Sequence, residues 1–122
     1  MTNRHILIAD DDRHLRDSLC EVMSAAGWEP TAADCGTQAI AHLTRATFDL
    51  MLSDIDMPDM TGFELLAWAR EHHHCEPTVL MSARANRELS QAAARAGAIT
   101  LLAKPVQITE ITGLVTKLFP PH

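Results

Sequence analysis

Four carboxylates, one hydroxyl and one ammonium stand at the ends of short apolar runs in this chain. Asp10, Asp11 and Asp12 follow HILIA, Asp54 follows DLMLS, Ser82 closes TVLMS, and Lys104 follows ITLLA with Pro105 behind it. Asp54, Asp56 and Asp59 form a second acidic clump, so six of the nine aspartates lie in two short stretches. Clustered carboxylates raise one another's pKa unless a cation joins them. Oxygen-only ligands suit a hard divalent ion such as Mg²⁺, with Mn²⁺ as a second candidate. A lysine alongside is a compact phosphate-binding charge. Carboxylates, a divalent cation, a lysine and a hydroxyl together are the parts of phosphoryl transfer. An aspartate can itself be the nucleophile, giving an acyl phosphate. Asp10, Asp11 and Asp54 outweigh Lys104 by two charges, which is the charge of one Mg²⁺.

Plainer readings stand beside this one. Asp10 and Asp11 can complement a helix dipole, and Asp12 reads as the helix N-cap. Ser82 can be a helix-initiating loop residue, alone or in addition to a site role. Asp59 reads as loop solvation. His72, His73, His74 and Cys75 resemble a metal cluster, but four consecutive residues close a tetrahedral site poorly, and no second ligand pair has Zn²⁺ spacing. A solvated helix end fits them better. Met51, Met57, Met60 and Met81 read as core and loop filling. Arg84, Arg87 and Arg95 flank one helix and read as a solvated or partner-facing scatter.

These residues need a frame that gathers them. The chain alternates short apolar runs with longer amphipathic ones. Strands are expected at 5–9, 29–33, 49–53, 78–82 and 99–103. Helices are expected at 13–26, 37–46, 62–73, 86–96 and 107–118, with Gly27 and Gly97 as stop signals. The third should carry Phe63, Leu66 and Ala67 on one face; the fifth should line up Ile108, Ile111, Val115 and Leu118 on one stripe. That fifth helix is β-branched and carries Gly113, so packing must hold it. Continuous apolar strands alternating with helices imply an α/β doubly wound domain with a parallel five-stranded sheet. Ligands bind such sheets beyond the carboxyl ends of the strands, where the acids, Ser82 and Lys104 all fall.

The 122 residues fit one domain and carry a formal net charge of −6. That balance argues against direct binding to nucleic acid, which needs a basic surface. No apolar run approaches the roughly 20 residues of a membrane span, and MTNRHILIADDD does not read as a signal peptide. Cys20, Cys35 and Cys75 read as free thiols in a reducing cytoplasm.

With five motifs in this order, ILIADDD at 6–12, DIDMPDMTG at 54–62, LMSAR at 80–84, ARAGA at 94–98 and LLAKP at 101–105, the chain resembles the receiver domain of two-component response regulators. The resemblance covers essentially all of 1–122 as a single receiver domain, stand-alone or excised from a longer regulator. It implies a (βα)5 flavodoxin-like fold with strand order 2-1-3-4-5. It makes Asp54 the phosphoacceptor, taking phosphoryl from the phosphohistidine of a sensor histidine kinase or phosphotransfer protein. Asp11, Asp54 and the backbone carbonyl of Asp56 would ligate Mg²⁺, with Asp10 acting through a water. Lys104 would meet the phosphoryl oxygens, the Ser82 hydroxyl would turn toward them, and Ala83 would leave access open. The Lys104–Pro105 bond is expected to be cis. Output would pass to an output domain or downstream protein through the face of helix 4, strand 5 and helix 5, with a phosphorylation-linked homodimer as one form. Such a chain is a cytoplasmic, self-phosphorylating and self-dephosphorylating signalling domain rather than a turnover enzyme.

Two departures bear on the switch. Leu101 stands where the family usually has Tyr or Phe, so switching must use aliphatic repacking or helix displacement. Asp56 and Arg84 match positions that in the family tune dephosphorylation, and they are expected to pair across the site mouth and hinder attacking water. Two other functions compete: a phosphorylation-independent pseudo-receiver, for which Leu101 leaves room, and an aspartyl-phosphate hydrolase, suggested by the DxD of Asp54-Ile55-Asp56. The hydrolase places that motif after its first strand and needs a larger chain.

Overall fold

The computed structural model describes residues 4–72, 74 and 77–120. Its elements alternate without exception: β1 Arg4–Ala9, α1 Arg13–Ala25, β2 Trp28–Ala33, α2 Gly36–Arg45, β3 Leu50–Asp54, α3 Gly62–Glu71, β4 Thr78–Ser82, α4 Arg87–Ala96, β5 Thr100–Ala103 and α5 Ile108–Leu118. The sheet is parallel with order β2-β1-β3-β4-β5, as expected from the resemblance. Every element falls within two residues of its expected bounds. His73 and Cys75, part of the histidine-rich stretch, lie outside the described residues.

The period of two along each strand divides the core. Ile6, Ile8, Leu50, Leu52, Val79 and Met81 face α1 and α5, where Leu19, Met23, Ile111 and Val115 meet them. Leu7, Ala9 and Met51 face the other way, onto Ala39, Leu43, Leu65 and Ala69 of α2 and α3. Leu80 joins that side further along, with Ile55, Leu66, Ala93 and Ala98. Cutting Ile8 or Leu52 to alanine in so closed a core costs about 2–5 kcal/mol. Continuing the same period, Asp10 and Asp54 fall on the α1–α5 side of the rim, and Ser82 falls on the α3–α4 side.

Two helices differ from the expected faces. Helix α3 buries Leu65, Leu66 and Ala69, while Ala67 is exposed; Leu65 was hidden in a run of apolar residues that fits more than one phase. In α5, Ile111 and Val115 are buried but Ile108 is 63% exposed, because the helix starts there and its first turn stands clear of the sheet. The weak α5 is pinned at its far end, where Phe119 meets Trp28 edge-on at 5.2 Å and lies under the Arg4 guanidinium. Gly97 ends α4 in the left-handed region at φ +98°, with the Arg70 guanidinium lying over it, so a side chain would be strained and blocked.

Candidate functional site

The site begins where β1 ends. Asp10 is wholly buried, and its Oδ1 accepts the Asp12 N–H at 2.8 Å. Its Oδ2 is buried too, and Lys104 Nζ lies 2.8 Å away as an ion pair; no other donor among the described residues serves that oxygen. Asp12 caps α1 through the N–H groups of His14 and Leu15, as the sequence suggested. One partner was not foreseen. Arg16 Nη1 donates to the Asp10 backbone carbonyl at 2.8 Å, tying the β1–α1 turn to the first turn of the helix that follows.

Asp54 closes β3 and is buried beside Asp10, with its Oδ2 3.2 Å from the same Lys104 Nζ. Burial and the neighbouring Asp10 raise the Asp54 pKa, and Lys104 and the Asp56 backbone N–H only partly offset them. For Lys104, burial alone would lower the pKa, but Asp10 and Asp54 outweigh it and leave the ammonium more firmly charged than usual. Asp11 completes the set from the exposed side. One carboxylate oxygen from each of Asp10, Asp11 and Asp54 lies within 4.8 Å of the others. Three carboxylates, one ammonium and an under-served buried oxygen fit a hard divalent cation in both charge and donor type. The structure thus brings together Asp10, Asp11, Asp54 and Lys104, four of the six residues that the sequence placed at the strand ends.

Ser82 closes β4 with its side chain fully buried. Its Oγ accepts the Arg84 N–H at 3.0 Å, so it shapes the β4–α4 turn, while Asn86 takes the helix cap by accepting from Leu89. Ala83 is exposed at the turn. The Lys104–Pro105 bond is cis, and the Lys104 N–H donates to the Ser82 carbonyl at 2.9 Å. Leu101, half-buried, packs with Leu80, Ala93 and Ala98 between the sheet and α4. Arg84 Nη2 donates to Asp56 Oδ1 at 2.7 Å, so the expected pair across the mouth is present.

The β3–α3 loop is more tightly built than its composition suggested. Gly62 N–H donates to the Ile55 carbonyl at 2.9 Å, and Asp56 forms an antiparallel bridge with Thr61. A Cβ at Gly62 would stand 2.6 Å from the Asp54 carbonyl oxygen, so only glycine lets α3 start against the strand end. Thr61 and Glu64 then form a reciprocal capping box. Asp59 is not mere loop solvation. Its Oδ1 accepts the Gly36 N–H at 2.8 Å, and its Oδ2 accepts the Thr37 N–H at 2.8 Å and the Thr37 hydroxyl. The Thr37 hydroxyl and the two amides hold the Asp59 carboxyl well below the usual range. No sequence signal pointed there, since the partners are 22 and 23 residues apart on another helix.

Among the described residues, His72 and His74 are not gathered with other ligands. Both stack on Trp68, at 4.1 and 5.7 Å between ring centroids. The described residues hold no other group of three or more metal-ligating side chains than Asp10, Asp11 and Asp54. No helix among them is long and apolar enough to cross a membrane.

Comparison with known proteins agrees with this geometry. The family model described as the response regulator receiver domain matches residues 6–116. The response regulator protein FleR of Pseudomonas aeruginosa is 34% identical over 92% of this chain, which spans only 24% of that relative. Sporulation initiation phosphotransferase F of Bacillus subtilis is 34% identical over 98% of this chain and 97% of its own length. Among solved structures, the chemotaxis response regulator CheY4 of Vibrio cholerae superposes with a TM-score of 0.90 at 28% identity, covering 97% of this chain and 100% of that one. The response regulator TrrA of Thermotoga maritima, solved in complex with Mg²⁺-BeF, gives 0.83 at 26% identity over 95% of this chain and 99% of its own. With its motifs in order, its strands in sequence 2-1-3-4-5 and three acids against one lysine at the rim, the chain belongs to the response regulator receiver domains of two-component systems.

Proposed function

We propose that Asp54 is the phosphoacceptor of this domain and that a histidine kinase or phosphotransfer protein is its donor. The observation that carries the reading is the junction of Asp10, Asp11 and Asp54 with Lys104 bridging two of them. Asp11, Asp54 and the Asp56 carbonyl would hold Mg²⁺, or Mn²⁺ in its place, with Asp10 acting through a water. Bound there, the ion would supply neutralisation of the phosphoryl oxygens. Asp54 would attack phosphorus, the new P–O bond forming as the donor's P–N bond breaks and its imidazole takes up a proton. Lys104 would pair with a phosphoryl oxygen, and the Ser82 hydroxyl would leave Arg84 N–H to donate to another. Exposed Ala83 leaves the approach open.

Leu101 packs against α4, so the change would reach the α4–β5–α5 face by aliphatic repacking and be read there by an output domain, a downstream protein or a second copy of the chain. Cytoplasmic placement goes with this reading, as does a signalling rather than a turnover role.

The test is direct. Mg²⁺ with a small phosphodonor should add the mass of one phosphoryl group, and Asp54→Asn should abolish the gain. No gain with any donor points instead to a phosphorylation-independent binding module. Steady turnover of a phosphoester points to a hydrolase.

A further inference from the structure

The loop that follows Asp54 is hydrogen-bonded to the start of α2 through one side chain, Asp59. Between Asp56 and Thr61 the chain turns outward, and Asp56, Pro58 and Asp59 are exposed while Met57 and Met60 are half-buried. Apolar packing alone holds such a loop weakly. Its base is closed by the Gly62–Ile55 hydrogen bond and the Asp56–Thr61 bridge. Its tip meets the rest of the fold through Asp59, whose two oxygens take three donors at the start of α2, and through Met60, which covers Gly36.

The direction of support follows from what each partner already has. Helix α2 is anchored by buried Ala39 and Leu43, and its start is further tied by Cys35 Sγ accepting from Gln38 and by Gln38 Oε1 accepting from Asp34. It does not depend on Asp59 for its place. The loop's other holds are lighter: half-buried Met57 and Met60 rest against the α2–α3 core, and the exposed Asp56–Arg84 pair ties only its first residue. Backbone N–H groups at a helix start cannot slide as a side-chain partner can, and they favour an anion. Charge-assisted bonds of this kind also fix orientation.

We infer that Asp59 is a positioning residue: by gripping Gly36 and Thr37 it fixes the β3–α3 loop so that the Asp56 carbonyl stands ready for the cation, and it couples occupancy of the site to the start of α2. The inference rests on the proposed Mg²⁺ site of Asp11, Asp54 and Asp56. Coupling is reciprocal, so a cation that needs the loop in place must in turn tighten the grip on α2.

The experiment is a Mg²⁺ titration of the whole chain followed by backbone amide resonances, with hydrogen exchange at Gly36 and Thr37 measured with and without the ion. In the native chain Mg²⁺ slows exchange at both amides. Asp59→Ala weakens Mg²⁺ binding by about tenfold, the order seen when groups supporting metal ligands are lost, and uncouples the exchange from the ion. Asp59→Asn, which keeps one acceptor oxygen, falls between. Ala41→Gly loosens exposed mid-α2 without touching the loop, and it leaves Mg²⁺ affinity unchanged. Equal affinity in Asp59→Ala and the native chain overturns the inference, as does an equal loss in Ala41→Gly. A native chain whose Asp11 and Asp54 amides ignore Mg²⁺ overturns both the metal site and the inference, and is distinguished because no variant is needed to see it.

Discussion

Lys104 Nζ lies 2.8 Å from Asp10 Oδ2, an oxygen that no other donor among the described residues serves. One ammonium therefore answers for most of the buried negative charge at the rim, since Asp54 is 3.2 Å from it as well. Removing one partner of a buried ion pair leaves the other uncompensated. Lys104→Met is expected to cost about 3 kcal/mol in chelator. Mg²⁺ should recover more stability in this variant than in the native chain, because the ion then supplies all the positive charge at the site. Urea unfolding with and without Mg²⁺ measures both. Equal Mg²⁺ responses would show that the ion and the lysine do not share the same carboxylates.

Asp54 gives a pH dependence of definite sign. Its pKa is raised by burial and by Asp10, so the folded chain holds that proton more tightly than the unfolded one. Ionised Asp54 therefore subtracts stability at neutral pH. That cost fades as pH falls through the raised value toward the ordinary 3.8. In chelator, Asp54→Asn should melt a few degrees above the native chain at pH 7, and the gap should close in acid. Saturating Mg²⁺ should reverse the order at pH 7, since the proposed site loses one of its anionic ligands in Asp54→Asn. A native chain that melts higher than Asp54→Asn in chelator would contradict the electrostatic account.

Gly62 offers a steric test of the strand-to-loop junction. A methyl there would press on the Asp54 carbonyl oxygen and the Ile55 Cα, both backbone and both fixed by the sheet. Gly62→Ala should destabilise by about 1–3 kcal/mol and slow phosphorylation of the folded fraction, because the backbone of the proposed phosphoacceptor must shift. Gly113→Ala is the control. That position is open, and alanine in a helix interior should add up to about 1 kcal/mol. Thermal melts and phosphodonor kinetics on the pair separate packing from chemistry.

How much of this was legible beforehand depends on the range of the interaction. Asp10, Asp11, Asp54, Ser82 and Lys104 could be read because each closes or follows an apolar strand, and a parallel sheet brings strand ends to one rim. Asp12 could be read as a cap because capping is local in sequence. Asp59 could not, because its donors Gly36 and Thr37 are brought near only when α2 packs beside the loop. Arg16 escaped for a different reason. Its partner is a backbone carbonyl, which leaves no residue type to match. Ile108 was placed on a buried stripe by its spacing, yet its end of α5 projects past the sheet. Periodicity tells which side of a helix is apolar, and only the tertiary fold tells how far the cover extends.

Arg84 and Asp56 set the last prediction. Their 2.7 Å bond joins the β4–α4 turn to the β3–α3 loop across the mouth of the site, with both side chains substantially exposed. An exposed pair of this kind adds little to stability, and Arg84→Ala should change unfolding by less than about 0.5 kcal/mol. Its position matters more than its energy. If a phosphoryl group on Asp54 lies beneath the pair, the Arg84 guanidinium would obstruct water attacking it. Arg84→Ala should therefore shorten the lifetime of the acyl phosphate, as should Asp56→Ala, which releases the arginine. The double variant should lose no more than either alone, because both remove one obstacle. Decay of the phosphorylated mass after donor removal measures the lifetime. An unchanged lifetime in Arg84→Ala would show that the pair ties the two loops together without guarding the phosphoryl group.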